Sequence, residues 1–197
     1  MSSIVSLYAV SKSSKPVNAQ PPTPLVIGGF FPLSNTDMSK VGHGLKLATD
    51  MALQDVANHP TLLTRYNLTM VLEDTQCKAS VGTKAFFDLM KTKQQKLVLF
   101  GDACTLVNEP IALAAKYWEM VQISYAETHP KFSLAPGGQA GDKSTKYTGF
   151  YRLVPSDQDL NRARYLFLQE FNWTVVGTIY QRDIPELALV CLLLKLQ

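Results

Sequence analysis

The chain lacks the features that define several protein classes. Its most apolar stretch, Ile184 to Gln197, is shorter than the ~20 residues needed to cross a bilayer. The net charge of +3 comes from scattered residues, whereas nucleic-acid binding requires a clustered basic face. The first residues have neither the basic start nor the uninterrupted apolar run of a secretory signal. We therefore predict no membrane span, no nucleic-acid partner and no recognisable signal peptide in this sequence.

Signatures of enzymes and cofactor sites are also missing. There is no phosphate-binding loop, and Gly42-His-Gly44 lacks both the third glycine and the immediately preceding strand of a dinucleotide fingerprint. No Gly-x-Ser-x-Gly nucleophile elbow occurs. His43, His59 and His129 do not have the spacing of metal ligands. The sequence therefore predicts no metal, no cofactor and no enzymatic activity.

Cysteine is scarce, with three residues in 197, and Cys191 lies near the C-terminal end. Cys77 and Cys104 each follow a predicted strand. Consecutive parallel strands bring their C-terminal loops to one edge of a sheet, where two cysteines can meet. A disulfide between them would contribute roughly 3.5 kcal/mol in the chain-entropy model and would indicate an oxidising compartment. On spacing alone, the alternative is a pair of buried free thiols.

Strands and amphipathic helices alternate along the chain. Apolar runs predict strands at Leu25–Phe31, Leu68–Leu72, Lys96–Phe100, Val121–Tyr125, Thr148–Leu153 and Thr174–Tyr180. Helical periodicity predicts helices at Gly44–Val56, Ser80–Met90, Ile111–Trp118 and Asp159–Phe171. Pro110 is expected in the first turn of the third helix. This alternation predicts an α/β fold with a doubly wound, mostly parallel sheet and a ligand site beyond the carboxyl ends of its strands.

The order and spacing of several segments carry a family resemblance. These segments are Ile27-Gly-Gly-Phe-Phe-Pro32, Ala48-Thr-Asp-Met-Ala-Leu-Gln-Asp-Val56, Asp74-Thr-Gln-Cys77, Lys84-Ala-Phe-Phe-Asp88, Phe100-Gly-Asp-Ala-Cys104, Trp118-Glu-Met-Val-Gln-Ile-Ser-Tyr-Ala126, Tyr151-Arg-Leu-Val-Pro-Ser-Asp157 and Phe171-Asn-Trp-Thr-Val-Val-Gly-Thr178. The chain resembles the extracellular Venus-flytrap domain of class C G-protein-coupled receptors, a periplasmic-binding-protein-like type I fold. Within that class it resembles the metabotropic γ-aminobutyric acid (GABA-B) receptors.

The resemblance, with the composition, divides the chain into four parts. Residues 1–24, rich in Ser, Lys and Pro, are expected to be disordered. Residues 25–155 correspond to the first lobe, residues 156–181 to the start of the second lobe, and residues 182–197 to an atypical tail. Asn67-Leu-Thr69 and Asn172-Trp-Thr174 match the N-glycosylation pattern, which also arises by chance.

The resemblance implies a receptor function. In the family an agonist binds between two lobes and stabilises their closure, which is a population shift and not catalysis. It implies a location on the extracellular side of the plasma membrane and a second receptor subunit as heterodimer partner. A G protein would be reached only through membrane helices outside this sequence.

Family ligand contacts transfer to this chain only in part. A serine that holds the ligand carboxylate corresponds to Thr105, and a second serine corresponds to Thr128. Tyr125 lies on the same predicted edge. A ligand-contacting histidine corresponds to Val154, which cannot form a hydrogen bond through its side chain.

Three hypotheses follow from this partial match. The first is a fragment that resembles the non-ligand-binding partner subunit and dimerises through the surface near Tyr117 and Trp118, although core packing of Trp118 is an alternative. The second is a lobe that binds GABA or another amino acid directly. The third is a cytosolic nucleotide-binding α/β protein.

Overall fold

A computed structural model describes residues 22–133, 146–175 and 177. Most of the predicted N-terminal segment, the loop at 134–145, most of the sixth predicted strand and the tail with Cys191 lie outside the described residues. Thr23 and Pro24, which we predicted to be disordered, belong instead to the first strand and pair with Tyr66 and Asn67. These pairings extend the first strand beyond its apolar run, because backbone hydrogen bonds do not require apolar side chains.

The strands of the described region form one sheet. They are β1 (Thr23–Phe31), β2 (Tyr66–Asp74), β3 (Lys96–Phe100), β4 (Gln122–Ser124) and β5 (Phe150–Arg152). Their order is β2-β1-β3-β4-β5, and each pairing is parallel. The sheet confirms the predicted α/β fold, with β3 at its centre and the carboxyl ends of the strands at one edge.

The described helices are α1 (Ser39–Asn58), α2 (Ala79–Lys91), α3 (Thr105–Ala115) and α4 (Asp159–Glu170). A short 3₁₀ turn, Lys116–Trp118, continues α3. The predicted start of α3 was wrong, because the helix begins directly after Cys104 and Pro110 lies inside it. Proline in a helix interior removes one backbone hydrogen bond. Here the bonds of the neighbouring residues and the burial of Val107 and Ile111 maintain the helix across that gap.

The main hydrophobic core lies between the sheet and the pair of helices α2 and α3. Its buried members come from β1, β3, these two helices and the residue that precedes α3: Phe30, Ala85, Phe86, Leu89, Leu99, Cys104, Val107, Ile111 and Ala115. A continuous apolar run such as β1 suits a strand that is covered on both faces. This packing holds the N-terminal end of α3 against the edge of the sheet where the strands end.

Helix α1 packs less closely than its periodicity predicts. We expected its apolar face to be buried, yet Leu45 and Val56 are only half-buried and Ala48 and Ala52 are exposed. These side chains line an apolar groove whose opposite wall includes Ile27, Leu68, Met70, Phe100 and Tyr125 of the sheet side. Gly42 anchors the start of α1 against Pro32, where an added Cβ would lie 2.1 Å from the Pro32 carbonyl oxygen. The rest of the helix borders the groove instead of closing it.

Within the described residues, none of the helices has the length and apolar character needed to cross a membrane.

Candidate functional site

The loops that follow β2 and β3 are joined at the carboxyl edge of the sheet by a disulfide between Cys77 and Cys104, with their Cα atoms 5.5 Å apart. Gln76 and Cys77 adopt left-handed backbone conformations, which turn the chain from β2 toward this contact. Cys104 is buried in the main core. The structure thus pairs the two cysteines and does not leave them as separate thiols.

Asp102, in the loop after β3, is fully buried beside the disulfide. Its carboxylate accepts hydrogen bonds from the Thr75 hydroxyl and from the backbone N–H of Cys104. Burial raises the pKa of Asp102 to about 6, and these hydrogen bonds oppose the rise. Asp102 therefore connects the loops after β2 and β3 through polar contacts as well as through the disulfide.

Asn108 and Gln122 hold the backbone of the same loop. The Asn108 amide donates to the Asp102 carbonyl at 2.9 Å, and its oxygen accepts from the Asp102 N–H at 2.6 Å. Gln122 Nε2 donates to Asn108 Oδ1 and to the Gly101 carbonyl. The Ser124 hydroxyl donates to the Asp102 carbonyl at 2.7 Å. This polar cluster gives the loop a defined shape, because most of its buried polar groups have partners.

Glu127, in the loop after β4, is almost completely buried, with 1% of its surface exposed. Its Oε1 accepts from the Thr105 hydroxyl at 3.0 Å and from the His129 N–H at 2.8 Å. Its Oε2 accepts from the Asn108 amide at 3.0 Å. Burial raises the pKa of Glu127, and the hydrogen bonds from Asn108, His129 and Thr105 partly counteract this effect.

The three residues predicted to contact a ligand share this edge, but each hydroxyl has a partner within the chain. Thr105 is 3% exposed and donates to Glu127. The Tyr125 hydroxyl donates to the Phe30 carbonyl at 3.1 Å, and burial raises the pKa of this phenol. Thr128 donates to Asp157 at 2.9 Å. In this structure the three hydroxyls therefore form hydrogen bonds within the chain that stabilise the carboxyl edge of the sheet.

The segment after β5, where the first lobe was predicted to end, is tied to the loop after β4. The Asp157 N–H donates to the Thr128 carbonyl at 2.9 Å. The guanidinium of Arg152 donates to the His129 carbonyl at 3.0 Å and to the Ser133 hydroxyl at 2.6 Å. Polar contacts therefore run from the disulfide loop through Glu127 to the predicted crossing.

Sequence reasoning missed the residues that organise this edge, namely Asp102, Asn108, Gln122 and Glu127. For Asp102, Gln122 and Glu127 a usable signal was position, because each is a polar residue within or shortly after strand β3 or β4, whereas Asn108 lies inside α3 and gave no such signal. Polar residues at the ends of buried strands need partners when the surrounding chain covers them. Which atoms pair could not be read from one sequence.

The predicted dimer residues lie away from this edge. Tyr117 and Trp118 follow the C-terminal end of α3, whose N-terminal end carries Thr105. Tyr117 is 83% exposed, while Trp118 is 44% exposed and contacts the ring edges of Phe86 and Phe87. Trp118 thus combines core packing with an exposed surface.

The two remaining predicted positions are the asparagines of the N-glycosylation motifs. Asn67, on edge strand β2, and Asn172, just after α4, are both exposed. In the part of the chain that the structure describes, no cluster of His, Cys, Asp or Glu is arranged to hold a metal ion.

Comparisons with known proteins identify the family. Residues 44–190 match the model of the receptor family ligand binding region. The chain is 44% identical over 138 residues to GABA type B receptor subunit 2 of Caenorhabditis elegans, covering 70% of this chain and 16% of that protein. It is 37% identical over 158 residues to subunit 2 of Rattus norvegicus, covering 80% of this chain and 16% of that protein.

Subunit 1 relatives match less well. The chain is 27% identical over 155 residues to GABA type B receptor subunit 1 of Mus musculus, covering 79% of this chain and 15% of that protein. The chain therefore spans about a sixth of the length of the relatives it matches. These relatives are receptor subunits and not enzymes, which confirms the prediction of a receptor over the nucleotide-binding alternative. The chain belongs to the receptor family ligand-binding region, with its highest similarity among the reported relatives to GABA-B receptor subunit 2.

Proposed function

We propose that this chain is part of the extracellular domain of a GABA-B-type receptor and functions in heterodimerisation with a second subunit and in agonist-linked signalling. The proposal includes a position on the extracellular side of the plasma membrane. Its G protein would be engaged through a membrane region outside this sequence.

The observation that carries the proposal is the exposed aromatic surface after α3. The Tyr117 side chain is almost fully solvent-exposed, and next to it Trp118 is held in place by Phe86 and Phe87. Large aromatic side chains with fixed positions are enriched among residues that dominate the binding energy of protein interfaces. Because Phe86 belongs to the main core, its contact with Trp118 makes this surface continuous with that core.

An association measurement with a subunit-1-type extracellular domain tests the proposal. Tyr117→Ala should weaken binding by roughly 10-fold or more, as expected for loss of an interface anchor. Tyr165→Ala, which removes a comparably large side chain from the exposed surface of α4, is the matched control and should leave the affinity unchanged. Trp118→Ala is less informative, since it also removes contacts to Phe86 and Phe87. Equal affinities of the wild type and Tyr117→Ala would contradict the proposed interface.

Direct amino-acid recognition through Thr105, Thr128 and Tyr125 is the alternative, and it would require these hydroxyls to exchange their internal partners. Calorimetry of the complete extracellular domain with GABA and with glutamate distinguishes the two. The partner-subunit role predicts flat titrations. Heat of binding that is lost in Thr105→Val would support the alternative.

The proposed extracellular location predicts that the chain is in an oxidising environment and that it can carry N-linked glycans. Secreted protein should carry the Cys77–Cys104 bridge, and Asn67 and Asn172 are exposed acceptors for glycans. Non-reducing peptide mapping with and without glycosidase tests both features. Free thiols at both cysteines in secreted material would contradict the location.

A further inference from the structure

The carboxylate of Glu127 lies in a buried pocket made of hydrogen-bond donors. A side-chain hydroxyl from Thr105, a side-chain amide from Asn108 and the backbone N–H of His129 all point at its two oxygens, at 2.8 to 3.0 Å. An ionised carboxylate is an acceptor only, so a set of convergent donors is the environment that suits it. The geometry is that of a binding site for a carboxylate group.

The donors are positioned by contacts that do not involve Glu127. Asn108 is fixed by two hydrogen bonds with the backbone of Asp102. Thr105 belongs to the first turn of α3, directly after the disulfide-bonded Cys104. The peptide that carries the His129 N–H is held through its carbonyl oxygen, that of Thr128, which accepts from the Asp157 N–H at 2.9 Å. Because none of these contacts uses an atom of the Glu127 side chain, they can hold the donors in place independently of its charge.

We propose that Thr105, Asn108 and the His129 N–H form an intramolecular carboxylate-binding site, and that Glu127 occupies it as a built-in ligand. The side chain of Glu127 thereby excludes free carboxylates, including that of an amino acid, from these donors. Removing it opens a site for a small carboxylate ligand. This inference goes beyond the receptor role and does not depend on it, since it concerns only groups inside this chain.

Chemical rescue of Glu127→Ala in the full-length chain tests the proposal. The substitution removes one methylene and the carboxylate, the same atoms that acetate supplies. Acetate should therefore raise the thermal midpoint of the variant by about 3 to 6 °C at ten times its dissociation constant, relative to chloride at equal ionic strength. The wild type should show no such difference between the two salts.

Three controls isolate the pocket. Glu127→Gln keeps the space filled and should not respond to acetate. Glu170→Ala removes an exposed carboxylate and should behave like the wild type. Acetamide, a neutral molecule of similar shape, should not rescue Glu127→Ala, because its amide nitrogen brings hydrogens toward donors. A folded Glu127→Ala that responds equally to acetate, acetamide and chloride would overturn the proposal, as would an equal acetate response in the wild type.

A second pair of variants decides the matter when Glu127→Ala does not fold. Thr105→Val keeps the branched shape but removes the hydroxyl donor, whereas Thr105→Ser keeps the donor. The proposal predicts a thermal midpoint roughly 3 °C or more below wild type for Thr105→Val and a much smaller change for Thr105→Ser. Equal losses in both variants would show that the hydroxyl does not hold the Glu127 carboxylate, and the proposal would fail.

Discussion

The two faces of the sheet are built from similar apolar patterns but are packed very differently. On one face, α2 and α3 bury a dense core that includes Phe86, Leu89 and Ile111. On the other face, α1 leaves a groove against the sheet, and its apolar residues Leu45 and Val56 remain half-buried. The comparison shows that helical periodicity identifies the side of a helix suited for burial, but not how closely a neighbour approaches it.

Two glycines show the same difference in packing density between the two faces of the sheet. Gly82 in α2 faces Val107 so closely that an added Cβ would lie 2.6 Å from its Cγ1 atom. Gly44 in α1 has no atom within 4 Å of that position. Close helix packing on the α2–α3 face therefore requires a residue without a side chain, whereas α1 has space to spare at Gly44. Stability should depend mainly on the α2–α3 face.

The largest expected effect comes from the same substitution made on both faces. Leu89→Ala should lower the free energy of unfolding by about 3 to 5 kcal/mol, because it leaves a cavity in a close-packed core. Leu45→Ala, on the groove, should cost only about 1 kcal/mol, since the removed atoms are already partly hydrated. Denaturant unfolding of the two variants measures the difference. Equal losses would show that the α1 face is as well packed as the other.

Removing the disulfide should have the next largest effect. The paired substitution of Cys77 and Cys104 by serine should cost about 3.5 kcal/mol in the chain-entropy model. The burial of Cys104 in the α2–α3 core adds a penalty for the serine hydroxyl. Unfolding of the oxidised wild type and the double variant gives the value. A loss below about 1 kcal/mol would mean that core packing alone holds the two loops.

The buried polar cluster beside α3 predicts a pH dependence. The folded-state pKa of Asp102 is about 6, above its ordinary value of 3.8. The folded chain therefore retains this proton where the unfolded chain has lost it. This contribution is complete below about pH 4 and is lost as the pH rises to about 6, a decline on the order of 2 to 3 kcal/mol.

Asp102→Asn should flatten this part of the stability profile, because the amide does not titrate. Glu127, whose pKa is also raised by burial, contributes in the same direction, so some slope should remain in the variant. Urea unfolding at intervals from pH 4 to pH 7 provides the comparison. Identical slopes in the wild type and Asp102→Asn would show that Asp102 has no raised pKa.

The smallest effects should come from the paired glycines, and their signs should differ. Gly44→Ala should stabilise the chain by about 0.5 to 1 kcal/mol, since alanine favours the helix and nothing obstructs its Cβ. Gly82→Ala should destabilise it by about 1 kcal/mol, because the clash with Val107 exceeds the gain in helix propensity. Thermal midpoints distinguish the two outcomes. Stabilisation by both substitutions would show that the α2–α3 contact can relax.

Much of the fold was predictable because strands and helices have different periods. The apolar run at Lys96–Phe100 predicted β3 with the bounds found in the structure, and the α4 prediction differed only at its last residue. The start of α3 was not predictable in this way. Proline usually marks the first turn of a helix, so Pro110 suggested a later start than the one that core packing imposes.

The candidate site was predictable in position but not in its contacts. Parallel strands place their ends at one edge, and this rule correctly brought the loops of Cys77 and Cys104 together. The partner of the Thr105 hydroxyl, by contrast, is a glutamate 22 positions further along the chain. No periodic pattern connects the two, because their contact depends on where two loops end in space.

The sequence alone determined the α/β class, the shared edge and the family, since periodicity and motif spacing are local properties that survive without coordinates. Only the tertiary structure decided which face of the sheet is closely packed and that Glu127 takes the hydroxyl of Thr105. Both outcomes depend on distances of a few ångströms between segments far apart in the chain. Packing and hydrogen bonding change steeply over such distances.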